Sequence, residues 1–213
     1  MAAFYFERQP FFYGEKMQKK FKNKVIINMV IQLLLLAVLI VIDRVTKSLV
    51  VTYLKGQDAV SLIDGVLELR YLENSGAAFG IFQNMQWMFY IITAIIMILI
   101  IVLFVTLTRK LINYCSLAES SPDDFHYRTY NGIIFLNYLM MALAAGAVGN
   151  LIDRLTTKYV VDFIYFKLID FPIFNFADIC VTVTAVLLVV FFIFIYRDDP
   201  NLSIFGIKKS SDE

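Results

Sequence analysis

The chain has few of the side chains on which histidine-based hydrolases and metal sites depend. It contains one histidine, His126, and two cysteines among 213 residues. A Ser–His–Asp triad needs a histidine beside its nucleophile, and a zinc site takes most of its ligands from histidine and cysteine. His126 falls in a polar stretch that we predict to be a loop, so we interpret it as an ordinary loop residue. We therefore expect neither histidine-based catalysis nor a metal or other cofactor.

Charge is equally scarce. Charged side chains make up 17% of the residues and apolar ones 60%, and the mean hydropathy is +0.71. This excludes an ordinary soluble domain, and the net charge of +1 gives no reason to expect a nucleic-acid partner. Four runs approach the roughly 20 apolar residues that cross a bilayer. We predict an all-α integral membrane protein, one polytopic domain over residues 1–213, with four transmembrane helices at about residues 25–42, 85–107, 131–152 and 179–196.

Basic residues predict the orientation. A lysine cluster within residues 16–24 precedes the first run, and no small-residue cleavage site follows it, so we interpret that run as a retained helix. Lys and Arg are more numerous in the termini and the middle connection than in the other two connections, which favours cytoplasmic termini. Cys115 in the predicted cytoplasmic loop and Cys180 in the fourth run would then lie at opposite faces, too far apart for a disulfide.

The first outer connection, approximately residues 43–84, is too patterned for a simple tether. Residues 66–71 alternate apolar and polar side chains as a half-exposed strand does, and residues 159–165 form a second candidate strand. Gly56 and Gly65 mark turns. We predict a small extracytoplasmic β element that rests on the helices.

Two aspartates at the edges of apolar runs give the strongest functional signal. Asp162 lies in the segment Val-Val-Asp-Phe, and Asp178 directly precedes the fourth run. A charge at the bilayer centre costs about 2.5–3.5 kcal/mol and less toward the interface, so such carboxylates are functional candidates. Two carboxylates about 3 Å apart share one proton, and the pair can activate water while it protonates a carbonyl. For Asp178 the alternative is an N-cap of the fourth helix.

Amide side chains recur in the same blocks. Asn74, Asn150 and Asn175 can each donate and accept hydrogen bonds, so they can orient a carboxylate or hold a peptide backbone. The small residues within 142–149 predict close helix packing.

Two basic side chains allow more than one interpretation. Arg154 can hold a substrate, or it can pair with Asp153 or Asp43 and only brace the fold. Lys47 next to Ser48 suggests a Ser–Lys dyad, but neighbouring helix residues point about 100° apart, so we consider this arrangement unfavourable.

Five blocks carry these residues in a fixed order: residues 43–47, 74–80, 146–154, 160–163 and 174–178. In that order they resemble the lipoprotein signal peptidases (signal peptidase II), membrane aspartic peptidases of bacteria, and the resemblance covers about residues 42–190. It implies a bacterial cytoplasmic membrane protein with its site on the outer face, and a catalytic dyad of Asp162 and Asp178. It also implies that nine further residues bind substrate or shape the site: Asp43, Lys47, Asn74, Gly76, Gly146, Asn150, Arg154, Asn175 and Ala177.

The resemblance implies the substrate as well. The family removes the signal peptide from prolipoproteins whose future N-terminal cysteine carries diacylglycerol, so we expect lipidated prolipoproteins and membrane lipid as partners of a monomer. One departure from the pattern is Lys158-Tyr159, which stands where a glycine commonly precedes the Val-Val-Asp block. Two other functions remain open, namely a small ion- or proton-coupled carrier that uses the same aspartates and a non-catalytic lipoprotein-binding protein.

Overall fold

Four long helices form the body of the computed structural model, which describes residues 9–76, 85–120 and 127–194. The helices are α1 (Gln9–Leu54), α2 (Gln86–Ser120), α3 (Tyr127–Thr156) and α4 (Phe176–Phe194). Each contains a segment long and apolar enough to cross a membrane, namely Asn23–Leu54, Gln86–Cys115, Arg128–Thr156 and Phe176–Phe194. The predicted membrane fold with four transmembrane helices is confirmed. His126 and residues 77–80 lie outside the described residues.

The first two helices extend further than predicted. We expected the first span to end before Asp43, but α1 continues to Leu54, because the charged residues that suggested a boundary are buried and paired with one another. The outer connection therefore begins after residue 54 rather than at 43. α2 likewise continues to Ser120, so Cys115 is a buried helical residue and not the loop residue we predicted.

α3 is the central helix. In its membrane-spanning window 61% of the residues are buried, against 6–17% in the other three helices. Its side chains Ile133 and Leu136 pack with Leu107 and Leu111 of α2, and further along α3 a second cluster forms around Met140. The other helices turn most of their apolar surface outward, as lipid-facing helices do.

A three-stranded antiparallel sheet covers one end of the bundle. Its strands are β1 (Val60–Ile63), β2 (Leu67–Asn74) and β3 (Val160–Phe166), in the order β1-β2-β3. β2 and β3 correspond to the two predicted strands, whereas β1 was missed because its four residues are too few for a clear alternation. Gly56 and Gly65 have φ of +76° and +72°, so both predicted turns use the left-handed conformation that glycine adopts without strain.

Phe174 joins the sheet to the start of α4. Its carbonyl oxygen accepts hydrogen bonds from the backbone N–H groups of Phe163 and Ile164 at 3.0 and 2.8 Å, and its own N–H donates to Ile164 at 3.0 Å. These bonds fix the position of β3, which carries Asp162, relative to the first turn of α4, which carries Asp178.

Two glycines let α4 approach the rest of the bundle. A Cβ on Gly146 would lie 2.5 Å from the carbonyl oxygen of Ala177 and 2.7 Å from Cγ2 of Val181. A Cβ on Gly149 would lie 2.6 Å from Oδ2 of Asp43. A larger residue at Gly146 would need a backbone shift and one at Gly149 would displace the Asp43 carboxylate, so the small residues of α3 serve the close packing that the sequence predicted.

Candidate active site

Asp162 and Asp178 line one cavity of about 500 Å³ at the sheet end of the bundle. Four other predicted site residues line it too, namely Asn74, Gly76, Asn150 and Arg154. The rest do not line it. Lys47 and Asn175 bond residues that do, namely Asn150 and Asp162. Asp43 and Gly146 lie against Ala177, which precedes Asp178. The other lining residues are mainly apolar and include Phe171, Ile173, Ile179 and Val183. The cavity therefore combines carboxyl, amide and guanidinium groups with apolar surface.

The carboxyl group of Asp162 is almost fully enclosed, with 2% of the residue exposed. Its Oδ1 accepts a hydrogen bond from Nδ2 of Asn175 at 2.6 Å, and its Oδ2 accepts one from Nδ2 of Asn74 at 2.8 Å. Burial, followed by the negative charge of Asp178, raises the pKa of Asp162 from its ordinary value of 3.8 to about 7, although the two amide hydrogen bonds act in the opposite direction. Asp162 can therefore hold a proton at neutral pH.

Asp178 lies in the first turn of α4, not before it. Asn175 is the N-cap, because its Oδ1 accepts from the backbone N–H of Asp178 at 3.0 Å. Asp178 reciprocates, since its Oδ2 accepts from the backbone N–H of Asn175 at 3.1 Å. This is a capping box. The alternative in which Asp178 itself is the N-cap is thus wrong, and its Oδ1 is turned toward Asn150, which donates to it at 2.7 Å.

Two amide side chains connect the carboxyl groups. Nδ2 of Asn175, already bonded to Asp162, also donates to Oδ1 of Asn150 at 3.2 Å. That oxygen accepts a second bond from Nζ of Lys47 at 2.9 Å. Rotating either amide by 180° would set donors against donors, so the network fixes both orientations. Every carboxylate oxygen of Asp162 and Asp178 accepts one hydrogen bond.

A buried ionic cluster supports this network from behind. The Lys47 ammonium lies 2.9 Å from Oδ2 of Asp43 and 2.8 Å from Oδ2 of Asp153. The ammonium also donates a hydrogen bond to Asn150, so it contacts two carboxylates and one amide oxygen. Arg44 pairs with the other oxygen of Asp153. Two acids and two bases make the cluster neutral, as burial requires.

The same cluster holds the start of α4. The second oxygen of Asp43, Oδ1, accepts a hydrogen bond from the backbone N–H of Ala177 at 3.1 Å. A carboxylate from α1 therefore binds one of the free N–H groups at the end of another helix, where negative charge is favoured. Because Lys47 is committed to this cluster and Ser48 is exposed, the two do not form a Ser–Lys dyad.

Arg154 has no carboxylate within ion-pair distance among the described residues. The acids that we considered as its partners, Asp43 and Asp153, pair with Lys47 and Arg44 instead. The interpretation of Arg154 as a brace to either acid is wrong. Its guanidinium lies on the cavity wall, where one N–H group approaches the carbonyl of Gly76 at 3.5 Å.

Several contributors were not predicted. Arg44 lies within the block 43–47 but carries no predicted role, although its position beside Asp43 indicates a possible charge cluster. Gln86 and Tyr90 in the first turn of α2 bond the carbonyls of Ser75 and Arg154, both at 2.9 Å. A single polar residue at the start of an apolar helix can bond the backbone near a site or simply lie at the membrane surface. Nothing in the sequence distinguishes these two roles.

Comparisons with known proteins give a consistent result. The profile of a family described as signal peptidase II matches residues 35–120 and 125–194. A lipoprotein signal peptidase of Brevibacillus brevis is 38% identical over 150 residues, which cover 70% of this chain and 86% of that protein. The lipoprotein signal peptidase of Lactiplantibacillus plantarum is 33% identical over 169 residues, which cover 79% of this chain and 96% of that protein.

Solved structures agree with the sequence comparisons. A bacterial membrane enzyme determined by the in meso method at 2.3 Å is similar, with a TM-score of 0.56, 28% identity, and coverage of 76% of this chain and 87% of that one. Another bacterial membrane enzyme, determined at 1.9 Å, has a TM-score of 0.54 and 30% identity, with coverage of 75% of this chain and 90% of that one.

Proposed function

Because this chain belongs to the signal peptidase II family, we propose that it is an aspartic endopeptidase that removes the signal peptide from prolipoproteins carrying diacylglycerol on cysteine. The observation that supports this most is the shared cavity. It holds two carboxyl groups, each fixed by amide donors, together with apolar surface. The carboxyl groups can catalyse peptide hydrolysis, and the apolar surface can bind the acyl chains of a lipidated substrate.

In the proposed reaction Asp162 and Asp178 share one proton. The ionised carboxylate takes a proton from water as the water oxygen attacks the scissile carbonyl carbon, and the protonated carboxyl gives its proton to the carbonyl oxygen. The tetrahedral intermediate then collapses. Its C–N bond breaks, one hydroxyl proton returns to the dyad, and the leaving nitrogen takes up the proton first removed from water. The raised pKa of Asp162 favours it as the resting holder of the shared proton.

The supporting residues have positioning roles in this proposal. Asn74, Asn150 and Asn175 keep the carboxyl groups in place through the hydrogen bonds described above. Arg154 presents a planar set of N–H donors on the cavity wall, which suits the backbone carbonyls of a peptide or the ester oxygens of a lipid. The apolar residues Ile179 and Val183 border the cavity on one face of α4, where acyl chains can stay out of water.

The test is cleavage of a purified diacylglyceryl-modified precursor in detergent. Asp162→Asn and Asp178→Asn should each lower kcat by about 10²–10⁴-fold, the usual contribution of acid–base catalysis. Asp58→Asn, the same change at an exposed loop residue, is the matched control. The precursor with an unmodified cysteine should be cleaved poorly, because each buried CH₂ contributes about 0.8 kcal/mol of positioning energy. Near-normal cleavage by either dyad variant would remove the two-aspartate mechanism.

The proposed location is the bacterial cytoplasmic membrane, with the termini inside and the cavity at the outer face. The distribution of basic residues supports this orientation, and so does the need to reach exported substrates. In intact cells a membrane-impermeant thiol reagent should label a cysteine introduced at the exposed Gln57. Labelling only after the membrane is opened would invert the topology.

We propose a monomer, because one chain supplies both aspartates and every described contact to them. Light scattering of the detergent complex measures the mass directly, and an active dimer with an inactive monomer would contradict this assignment.

A further inference from the structure

The first turn of α2 contacts the two segments that form one rim of the cavity. Gln86 donates to the carbonyl of Ser75 at 2.9 Å, and the Tyr90 hydroxyl donates to the carbonyl of Arg154 at 2.9 Å. Between them, the ring of Phe89 faces the guanidinium of Arg154, whose Cζ lies 4.3 Å from the ring centroid. None of these α2 side chains has a role in the proposed reaction.

The Phe89 ring makes a cation–π contact with the Arg154 guanidinium. The guanidinium's bond to the Gly76 carbonyl, at 3.5 Å, is at the limit for a hydrogen bond. Its Nε is buried and has no partner among the residues that the structure describes. A cation over an aromatic face is attracted by the ring quadrupole without using any N–H group. Phe89 can therefore hold the guanidinium in place and leave its donors for another ligand.

The position of Arg154 also affects the Asn74 amide, which bonds Asp162. Arg154 contacts the carbonyl of Gly76, and the N–H of Gly76 donates to Oδ1 of Asn74 at 3.0 Å. The amide of Asn74 in turn donates to Asp162 at 2.8 Å. A guanidinium that moved away from the Phe89 ring would lose its contact with this chain of hydrogen bonds and its place on the cavity wall.

We propose that Phe89 is a positioning residue whose ring holds the guanidinium of Arg154 at the cavity wall, ready to bind carbonyl or ester oxygens of the substrate. This inference rests on the proposed function for its substrate class. It assigns to an aromatic residue of a membrane helix a role that a lipid-facing leucine could not fill, since leucine has similar bulk but no ring face.

The kinetic test compares three variants with the lipidated precursor. Phe89→Leu should raise KM by about three- to tenfold with kcat little changed, because a less well positioned Arg154 binds substrate and transition state more weakly to the same extent. Phe89→Tyr keeps the ring face and should restore KM close to the wild-type value. Trp87→Leu is the matched control, since it removes an aromatic ring from the same turn at a side chain that is 60% exposed.

A double-mutant cycle tests whether Phe89 acts through Arg154. In an Arg154→Gln background, Phe89→Leu should produce no further rise in KM. Equal effects of Phe89→Leu in both backgrounds would show that it acts on the fold in general, and a wild-type KM for Phe89→Leu alone would overturn the proposal.

A measurement without substrate separates this inference from the proposed function. Protons above an aromatic face are shielded, so NMR of arginine-labelled protein in micelles should show upfield-shifted side-chain resonances that disappear in Arg154→Gln. These resonances should move to ordinary positions in Phe89→Leu and stay shifted in Phe89→Tyr. Unshifted Arg154 resonances in the wild type would overturn the proposal whatever the enzyme cleaves, whereas failure to cleave with shifted resonances would count against the proposed function alone.

Discussion

Lys47 offers the most informative single substitution in the protein. Only 1% of its side chain is exposed, and its ammonium contacts Asp43 and Asp153 at 2.9 and 2.8 Å and the amide of Asn150 at 2.9 Å. Lys47→Met keeps the length of the side chain and removes the charge. It leaves two buried carboxylates with only Arg44 to balance them.

The size of the effect follows from the charge left behind. Breaking a buried ion pair by removing one partner costs about 3–5 kcal/mol, because the remaining charge is neither solvated nor paired. At about 2–4 °C per kcal/mol for a chain of this size, the unfolding midpoint should fall by about 6–20 °C. The same substitution at Lys55, which is 52% exposed in its pair with Glu73, should leave the unfolding midpoint nearly unchanged, because water already screens that pair.

The two cysteines make the assay convenient. Cys115 and Cys180 are both buried, so a fluorogenic thiol reagent reports their exposure as the detergent-solubilised protein unfolds on heating. Adding Asp43→Asn to Lys47→Met makes the cluster neutral again and retains an oxygen for the N–H of Ala177. This double variant should be about 2 kcal/mol more stable than Lys47→Met. The activity of both variants should be low, because Asn150 has lost its contact with Lys47 in each of them. Equal midpoints for Lys47→Met and the wild type, or no recovery with Asp43→Asn, would refute the charge-balance argument.

Two more predictions concern the surroundings of Asp162. Asn74→Leu removes a donor that favours the ionised form of Asp162, so the pKa of Asp162 should rise. In the proposed mechanism the rate falls at high pH when Asp162 loses its proton, near pH 7 in the wild type. In Asn74→Leu this fall should occur at higher pH, and a fall at lower pH than in the wild type would contradict the prediction. Lys158 has a φ of +69°, a conformation that costs a side-chain-bearing residue about 1–2 kcal/mol. Lys158→Gly should therefore raise the thermal midpoint by the equivalent of about 0.5–1 kcal/mol, while Lys158→Val should lower it.

The sequence predicted the parts of the fold that follow from composition and local pattern. Apolar runs gave the four helices, alternation gave β2 and β3, and glycines gave the turns at Gly56 and Gly65. It also selected the residues that the structure brings to one cavity, although their chemical roles stay predictions. Individually these residues are weak signals, and only their order along the chain distinguished them from interfacial polar residues.

What the sequence missed depended on tertiary pairing. Asp43 and Lys47 suggested the end of a transmembrane helix because unpaired charges do not remain in hydrocarbon. Asp153 completes their charge cluster by pairing with both Lys47 and Arg44, and it lies about a hundred positions further along the chain, so this pairing cannot be read from local pattern. The cap of α4 was misassigned for a similar reason. The apolar run begins at residue 179, but hydrogen bonding begins the helix at Phe176, so the cap falls on Asn175.

The different surroundings of the two aspartates suggest why the proposed dyad is asymmetric. Asp178 lies in the first turn of α4, where the helix dipole and the N–H of Asn175 favour a negative charge. Asp162 lies in a strand, which supplies no comparable dipole, and burial raises its pKa to about 7. Under the proposed mechanism the shared proton therefore rests on the strand residue, and the helix residue carries the charge that activates water. In this proposal the secondary structure distinguishes the acid from the base among two chemically identical side chains, and the amides of Asn150 and Asn175, which bond the two carboxyl groups, keep them in place while the proton moves.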